Sequence, residues 1–185
     1  MGKVFDAIDD KLAAWIGRQR MFFVGTAPSG DDGHVNISPK GPIESLRILD
    51  PHTVAYQDVI GSGAETIAHL RDNGRIVVML CAFDGPPRIL RLHGTGTVLP
   101  VEAVDFPGTE VRPDARRAVI RVDVERIADS CGYGVPIMEY VAPRPQYDAW
   151  VDAKLRKGES ALDEYVAEKN AVSIDGLPAV DLEPA

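Results

Sequence analysis

Residues 53–83, TVAYQDVIGSGAETIAHLRDNGRIVVMLCAF, decide the fold of this 185-residue chain. A run of β-branched and aromatic residues ends at Asp58, glycines follow at positions 61 and 63, a helical stretch extends to 73, and an apolar strand closes the unit. A strand, a glycine-rich turn and a helix in this order also begin a nucleotide-binding parallel sheet, with Asp84 near the place of its ribose-binding acid. The flanking sequence decides between a parallel and an antiparallel fold.

Outward from this unit, the chain consists of strands joined by short links. Runs of β-forming residues bounded by Gly, Pro or Asp predict six strands, at residues 21–27, 34–40, 53–58, 75–83, 88–99 and 118–127. The links at 28–33 and 84–87 are too short for the crossover that parallel strands require, and only the link at 63–73 is helical. We therefore reject the parallel nucleotide-binding sheet and predict a mainly β barrel or sandwich with flanking helices.

Three regions are predicted along the chain. Residues 1–20 form a helix packing on the barrel, residues 21–136 form the barrel, and residues 137–185 form a helical extension and tail. The first helix is predicted from apolar residues at helical spacing, namely Phe5, Ile8, Leu12, Trp15 and Ile16. Helices are also predicted at about 144–157 and 160–170. The tail, 173–185, has no periodicity and is expected to be loosely held or docked on a partner.

The charge composition makes some classes of binding partner unfavourable. Twenty basic residues against 28 acidic ones give a net charge of -8, which disfavours binding to nucleic-acid backbone or to anionic membranes. The sequence has no apolar run of membrane-spanning length and no signal-peptide core, so we predict a cytoplasmic protein with Cys81 and Cys131 reduced. No pair of the four histidines has metal-ligand spacing, and no metal site is expected.

Polar side chains recur on three of the predicted strands. Alternation places Asn36, Ser38 and Lys40 on one strand face, while Arg88 and Arg91 fall on opposite faces of a regular strand. Amide groups at residues 61–66, before and at the helix start, could bind a phosphate or carboxylate. Two simpler interpretations stay open: the glycines form a turn capped by the Ser62 hydroxyl, and the polar faces are merely solvated.

The order of these parts resembles the pyridoxamine 5'-phosphate oxidase-like family, the flavin-binding split barrels. The resemblance covers roughly residues 22–96, with a weaker extension to 136. It is carried by the succession of Phe23-Val24-Gly25-Thr26, residues 34–41, residues 54–58, the helix of residues 65–75, the apolar strand to Phe83 and the strand of residues 88–94.

The resemblance implies a six-stranded antiparallel Greek-key split barrel that forms a homodimer and binds FMN in clefts between the subunits. The flavin phosphate would contact the strand carrying Asn36, Ser38 and Lys40, and the helix start carrying Ser62, Gly63 and Thr66. The flavin ring would lie against the strand that carries Tyr56, Gln57 and Asp58. Arg88 and Arg91 would lie beside the ring or at the dimer seam.

One departure from the family bears on the substrate. The oxidase itself carries an Arg-Lys pair for the phosphate at the helix start, where this chain has Glu65 and Thr66. We therefore expect an FMN-dependent oxidoreductase that acts on a small molecule other than pyridoxamine phosphate. No catalytic residue is assigned, because hydride chemistry belongs to the flavin.

Two alternatives to this function stay open, as do the roles of three side chains. The protein could be a reductase of the same fold that uses the deazaflavin F420, or a non-enzymatic flavin- or haem-binding protein. Cys131 is a reactive thiol or part of a tight turn, Tyr133 a flavin cover or a surface residue, and Trp150 a ring lid or a packing residue.

Overall fold

The computed structural model describes residues 2–109 and 111–180, and its strands form one antiparallel sheet. The eight strands of the described chain are β1 (Val4–Phe5), β2 (Phe22–Thr26), β3 (Asn36–Lys40), β4 (Leu46–Asp50), β5 (Thr53–Val59), β6 (Arg75–Cys81), β7 (Ile89–Leu99) and β8 (Arg116–Ser130). The order across the sheet is β3-β2-β6-β7-β8-β5-β4, and β1 pairs with β8. The predicted mainly β, antiparallel class is confirmed. A six-stranded Greek-key barrel is not, because the sheet has two further strands and its hydrogen-bonded path ends at β3 and β4.

In the described ranges, four α-helices flank the sheet: α1 (Asp10–Gly17), α2 (Glu65–Asp72), α3 (Gln146–Leu155) and α4 (Ala161–Lys169). Helix α1 begins where Asp9 caps it, with the Asp9 carboxylate accepting a hydrogen bond from Leu12 N at 2.7 Å. The helix therefore begins after both Phe5 and Ile8, which their spacing assigns to it, and Phe5 belongs to β1. Within the described residues, no helix has both the length and the apolar character needed to cross a membrane.

The core lies where the coiled sheet, α1 and α2 meet. Alternate residues of β7 and β8 point into it, so that Leu90, Leu92 and Ile120 are fully buried. Tyr56 and Phe22 pack edge to face in the same cluster, with ring centroids 5.4 Å apart. A second cluster joins α3 and α4 to the chain just before α2 and contains Ile60, Ala115, Val151 and Leu162.

The tail beyond α4 packs on its own chain up to residue 180. Val172 and Pro178 form a β-bridge, and Ala179 is only 1% exposed and belongs to the main core. The expectation of a loosely held tail is therefore wrong for residues 173–180, because Leu177, Ala179 and Val180 pack in or against the main core. The rest of the predicted tail, 181–185, lies outside the described residues.

The packing of the tail predicts how two matched substitutions in it differ. Ala179→Asn should lower the free energy of unfolding by about 2–4 kcal/mol, because it overfills a packed site and buries an amide without partners. Val172→Asn, at a position 55% exposed in the same segment, should cost less than about 1 kcal/mol. Urea unfolding of both variants measures the difference, and equal small effects would show that the tail contributes nothing to the core.

Candidate functional site

A cleft of about 480 Å³ opens between β3, the start of α2 and the C-terminal tail. We call it the β3 cleft, and it is lined by His34, Val35, Asn36, Ile37, Ser62, Gly63, Glu65 and Ile174. The glycine loop, defined here as residues 60–64, contributes Ser62 and Gly63 to this lining. The tail forms one wall and is fixed by two contacts: His34 Nδ1 lies 2.6 Å from the Asp175 carboxylate, and Ile174 N donates to Glu65 Oε1 at 3.3 Å.

The carbonyl groups of the glycine loop accept hydrogen bonds from side chains packed against the loop. Ile60 O accepts from the Tyr147 hydroxyl at 3.0 Å, Gly61 O from Asn170 Nδ2 at 2.9 Å, and Gly63 O from Arg117 Nη1 at 2.9 Å. In a trans peptide the carbonyl and the following N–H point to opposite sides. The N–H groups of Gly61, Ser62 and Ala64 therefore point away from these donors.

These three amides are unpaired within the described residues. No hydrogen-bond acceptor in the described part of the chain satisfies them, and they immediately precede the first turn of α2, whose backbone donors are also unpaired at a helix start. Ala64 is the N-cap of α2 and no side chain caps the helix, so the interpretation of Ser62 as a capping hydroxyl is wrong. Three orphaned amides beside a helix N-terminus can hold an anion.

A buried ion-pair cluster lies next to the loop. Asp58 is fully buried, and its two oxygens contact Lys40 Nζ at 2.7 Å and an Arg117 guanidinium nitrogen at 2.6 Å. Burial by itself would raise the pKa of Asp58, but the charges and hydrogen bonds of the two cations outweigh it, and the pKa lies below its usual value. Two cations against one anion leave a net charge of +1 adjoining the glycine loop.

A chain of hydrogen bonds connects the sheltered face of β3 to the helix. Ser38 Oγ donates to Asn36 Oδ1 at 3.0 Å, and Asn36 Nδ2 contacts the hydroxyls of Thr26 and Thr66, each at 3.1 Å. Thr26 Oγ1 in turn lies 3.0 Å from His69 Nδ1. His69 is fully buried, and burial lowers its pKa and keeps the imidazole neutral. The chain fixes the Asn36 amide beside the loop.

The structure brings one group of the predicted site residues together and separates another. Around the β3 cleft and the adjoining ion-pair cluster it places Asn36, Ser38, Lys40, Asp58, Ser62, Gly63 and Thr66. Tyr56 lies inside the core, where its hydroxyl finds no hydrogen-bond partner among the described residues. Gln57 lies on the opposite face of β5, where its amide bonds Thr109 O and Val111 N.

The two predicted arginines of the β7 region lie elsewhere. Arg88 precedes β7, pairs with Asp129 at 2.9 Å and lies over the rings of Phe5 and Trp15. Arg91 donates to Ser130 Oγ at 3.0 Å on the outer face of the sheet. Neither arginine lines the β3 cleft.

The structure also shows where the three side chains lie whose roles the sequence leaves open. Trp150 packs between Tyr147 and Tyr165, with ring centroids 5.9 and 5.0 Å away, and is a packing residue. Cys131 and Tyr133 are exposed and do not line the cleft. Among the described residues, no group of three or more His, Cys, Asp or Glu side chains could hold a metal ion.

Three residues of the site are not marked by the sequence. Arg117 falls one residue before the predicted last strand of residues 118–127, whereas β8 begins at Arg116 and carries Arg117 alongside Asp58 on β5. Tyr147 and Asn170 contact the loop from α3 and from the end of α4, 87 and 109 residues away in sequence. No local pattern marks such contacts, because they depend on how α3 and α4 pack.

Comparison with known proteins gives a consistent result. A family model described as pyridoxamine 5'-phosphate oxidase matches residues 8–131. The pyridoxamine 5'-phosphate oxidase family protein ustO of Aspergillus flavus is 39% identical over 194 aligned residues, which cover 95% of this chain and 77% of that protein.

The solved structures that resemble this chain have lower sequence identity to it than ustO has. A candidate pyridoxamine 5'-phosphate oxidase from Lactobacillus delbrueckii is 16% identical with a TM-score of 0.49, covering 68% of this chain and 98% of that one. The FAD binding protein from Mycobacterium smegmatis is 13% identical with a TM-score of 0.47, covering 68% and 97%. At these identities and scores, neither likeness bears on the ligand or the chemistry of this chain.

The Asp58 cluster predicts a pH dependence of stability. A carboxylate with a lowered pKa stabilises the fold fully above its ordinary value of 3.8, and this contribution is lost as the pH falls through the lowered pKa. Asp58→Asn should cost roughly 3–5 kcal/mol at pH 7, because it leaves two cations without their anion. The difference from wild type should shrink below about pH 3.8, as measured by denaturant unfolding from pH 7 to pH 2. The exposed Asp31→Asn serves as the control, and a difference that does not change with pH would contradict the assignment.

Proposed function

The chain belongs to the pyridoxamine 5'-phosphate oxidase family, and on that premise we propose that it is a flavin-dependent oxidoreductase that holds the phosphate of FMN on the glycine loop. One observation supports this proposal above all: the amides of Gly61, Ser62 and Ala64 are unpaired in the described chain. They point away from the side chains that donate hydrogen bonds to the loop carbonyls. A flavin would supply the hydride chemistry, and the protein would bind and orient it.

The donors around the cleft fit a phosphate group. The Ser62 hydroxyl lines the cleft, whereas both N–H donors of the Asn36 amide are already bonded to the hydroxyls of Thr26 and Thr66. Lys40 was expected to contact the phosphate directly, but its ammonium is bonded to Asp58. We propose instead that Lys40 acts at a distance, through the net charge of +1 on the ion-pair cluster.

The acidic side chains of the cleft limit the choice of substrate. Glu65 and Asp175 oppose a second anionic group near the loop, and Glu65 stands where the oxidase has a cation. We therefore propose a small organic substrate other than pyridoxamine phosphate, with a nicotinamide cofactor or oxygen as its redox partner.

We further propose that the functional unit is a homodimer in which the partner subunit covers β3. Strand β3 is an edge of the sheet. Val35 and Ile37 beside the cleft are 72% and 70% exposed. Exposed edge strands with apolar residues on their outer face favour association with another chain. A second subunit there would close the open side of the cleft.

The phosphate proposal is tested by flavin titration. The purified protein should carry, or take up, FMN with its two visible absorbance bands, and bind FMN more tightly than riboflavin. Glu65→Gln should tighten FMN binding about two- to five-fold, because it removes a negative charge from the cleft but keeps the oxygen that accepts from Ile174 N. Riboflavin affinity should not change.

The matched control is Glu125→Gln. Glu125 is an exposed residue of β8, eight positions beyond Arg117 and hence roughly 26 Å along the strand from the site. It should leave both affinities unchanged. A wild-type protein that binds no flavin, or that shows only the single near-violet band of a deazaflavin, would reject FMN as the cofactor.

The dimer proposal is tested by sedimentation. Ile37→Asp should convert the dimer to a monomer and weaken FMN binding at least ten-fold, because a charge is placed in an apolar interface and the cleft loses its cover. Val4→Asp changes a comparably exposed residue of β1, which pairs with the far part of β8, and should alter neither property. A wild-type monomer that binds FMN tightly would contradict the dimer.

A further inference from the structure

The C-terminal helices supply two of the three donors that hold the glycine loop. The family model ends at residue 131, so α3, α4 and the tail lie outside the matched region. We propose that Tyr147 and Asn170 are positioning residues, which hold two peptide groups of the loop so that the N–H groups of Gly61 and Ser62 point away from these donors and stay available to a ligand. This inference rests on the proposed phosphate site.

Tyr147 is held by packing that does not depend on its hydrogen bond. Its ring stacks on Trp150 and belongs to the cluster of Ile60, Val151 and Leu162. The hydroxyl adds the bond to Ile60 O, and burial raises the pKa of Tyr147 to about 12, so the hydroxyl keeps its proton at neutral pH. Removing the hydroxyl alone would therefore test orientation of the loop without removing the packing.

Asn170 holds the loop at a cost to its own side chain. It is fully buried and donates to Gly61 O, while its own Oδ1 has no hydrogen-bond partner among the described residues. A buried amide oxygen without a partner is costly, whereas an apolar side chain there would carry no such cost. The position is fixed by the backbone, since Asn170 N donates to Val166 O and Asn170 O accepts from Val180 N. Asn170 thus couples both α4 and the tail to the loop.

These two bonds act on the amides through the peptide planes. A loop carbonyl that loses its protein donor must turn towards water to find another. Because the peptide group is planar, the N–H on its other side turns with it. For Ile60 and Gly61 this means that the amides of Gly61 and Ser62 leave the direction in which the two bonds hold them. The ligand would then lose aligned donors, although the fold keeps its core.

The test compares FMN with riboflavin, which lacks the phosphate. Tyr147→Phe in the full chain should raise the Kd for FMN about three- to ten-fold, the effect of one neutral hydrogen bond, with the Kd for riboflavin unchanged. Tyr165→Phe removes a hydroxyl from the same aromatic cluster without touching the loop, and should change neither value. Melting temperatures of both variants separate positioning from stability: a lower melting temperature of Tyr147→Phe with an unchanged Kd for FMN would mean that the bond only stabilises the fold.

A second variant and a second measurement complete the test. Asn170→Leu should weaken FMN binding at least as much as Tyr147→Phe, and if it does not fold, Tyr147→Phe alone decides. In ¹⁵N spectra of the wild type, inorganic phosphate should shift the amide signals of Gly61, Ser62 and Ala64, and Tyr147→Phe should reduce these shifts. If wild type binds FMN and shows the shifts but Tyr147→Phe changes neither, the positioning role is overturned and the proposed function stands. If wild type neither binds FMN nor shows the shifts, both are overturned.

Discussion

The site depends on one buried carboxylate. Asp58 has no access to solvent, and a charge in that position is tolerated only when its partners are close and well aligned. Its two partners come from different strands, Lys40 from β3 and Arg117 from β8. Because Arg117 also bonds Gly63 O, the requirement to neutralise Asp58 fixes the relative positions of β3, β5, β8 and the glycine loop.

The side chains that pack against the glycine loop determine the direction in which its peptide groups point. Its glycines allow a ligand close approach to the backbone, but they do not determine which way the peptide groups face. That direction follows from three side-chain donors, on β8, on α3 and at the end of α4. The loop sequence and the C-terminal helices therefore act as one unit, although the helices lie outside the region that the family model matches.

Local patterns in the sequence predicted most of the fold. Runs of β-forming residues bounded by Gly, Pro or Asp found six strands, and alternation found the sheltered face of β3 with Asn36, Ser38 and Lys40. The helical stretches predicted along the chain correspond to α1, α2, α3 and α4. Two strands were missed. Strand β1 has only two residues, and β4 is a short strand with charged residues that resembles part of a long link. The partners of Asp58, at separations of 18 and 59 residues, could not be predicted, because no periodicity relates residues so far apart.

The distance between the loop and its donors also has a consequence for biosynthesis. Ile60 and Gly61 leave the ribosome 87 and 109 residues before the side chains that bond their carbonyls. Domains fold largely as their chain emerges, so the sheet can begin to form while the loop still lacks two of its three donors. The nascent protein would thus acquire its fold before its binding site, and the synthesis of α4 would decide when the loop gains its Asn170 donor.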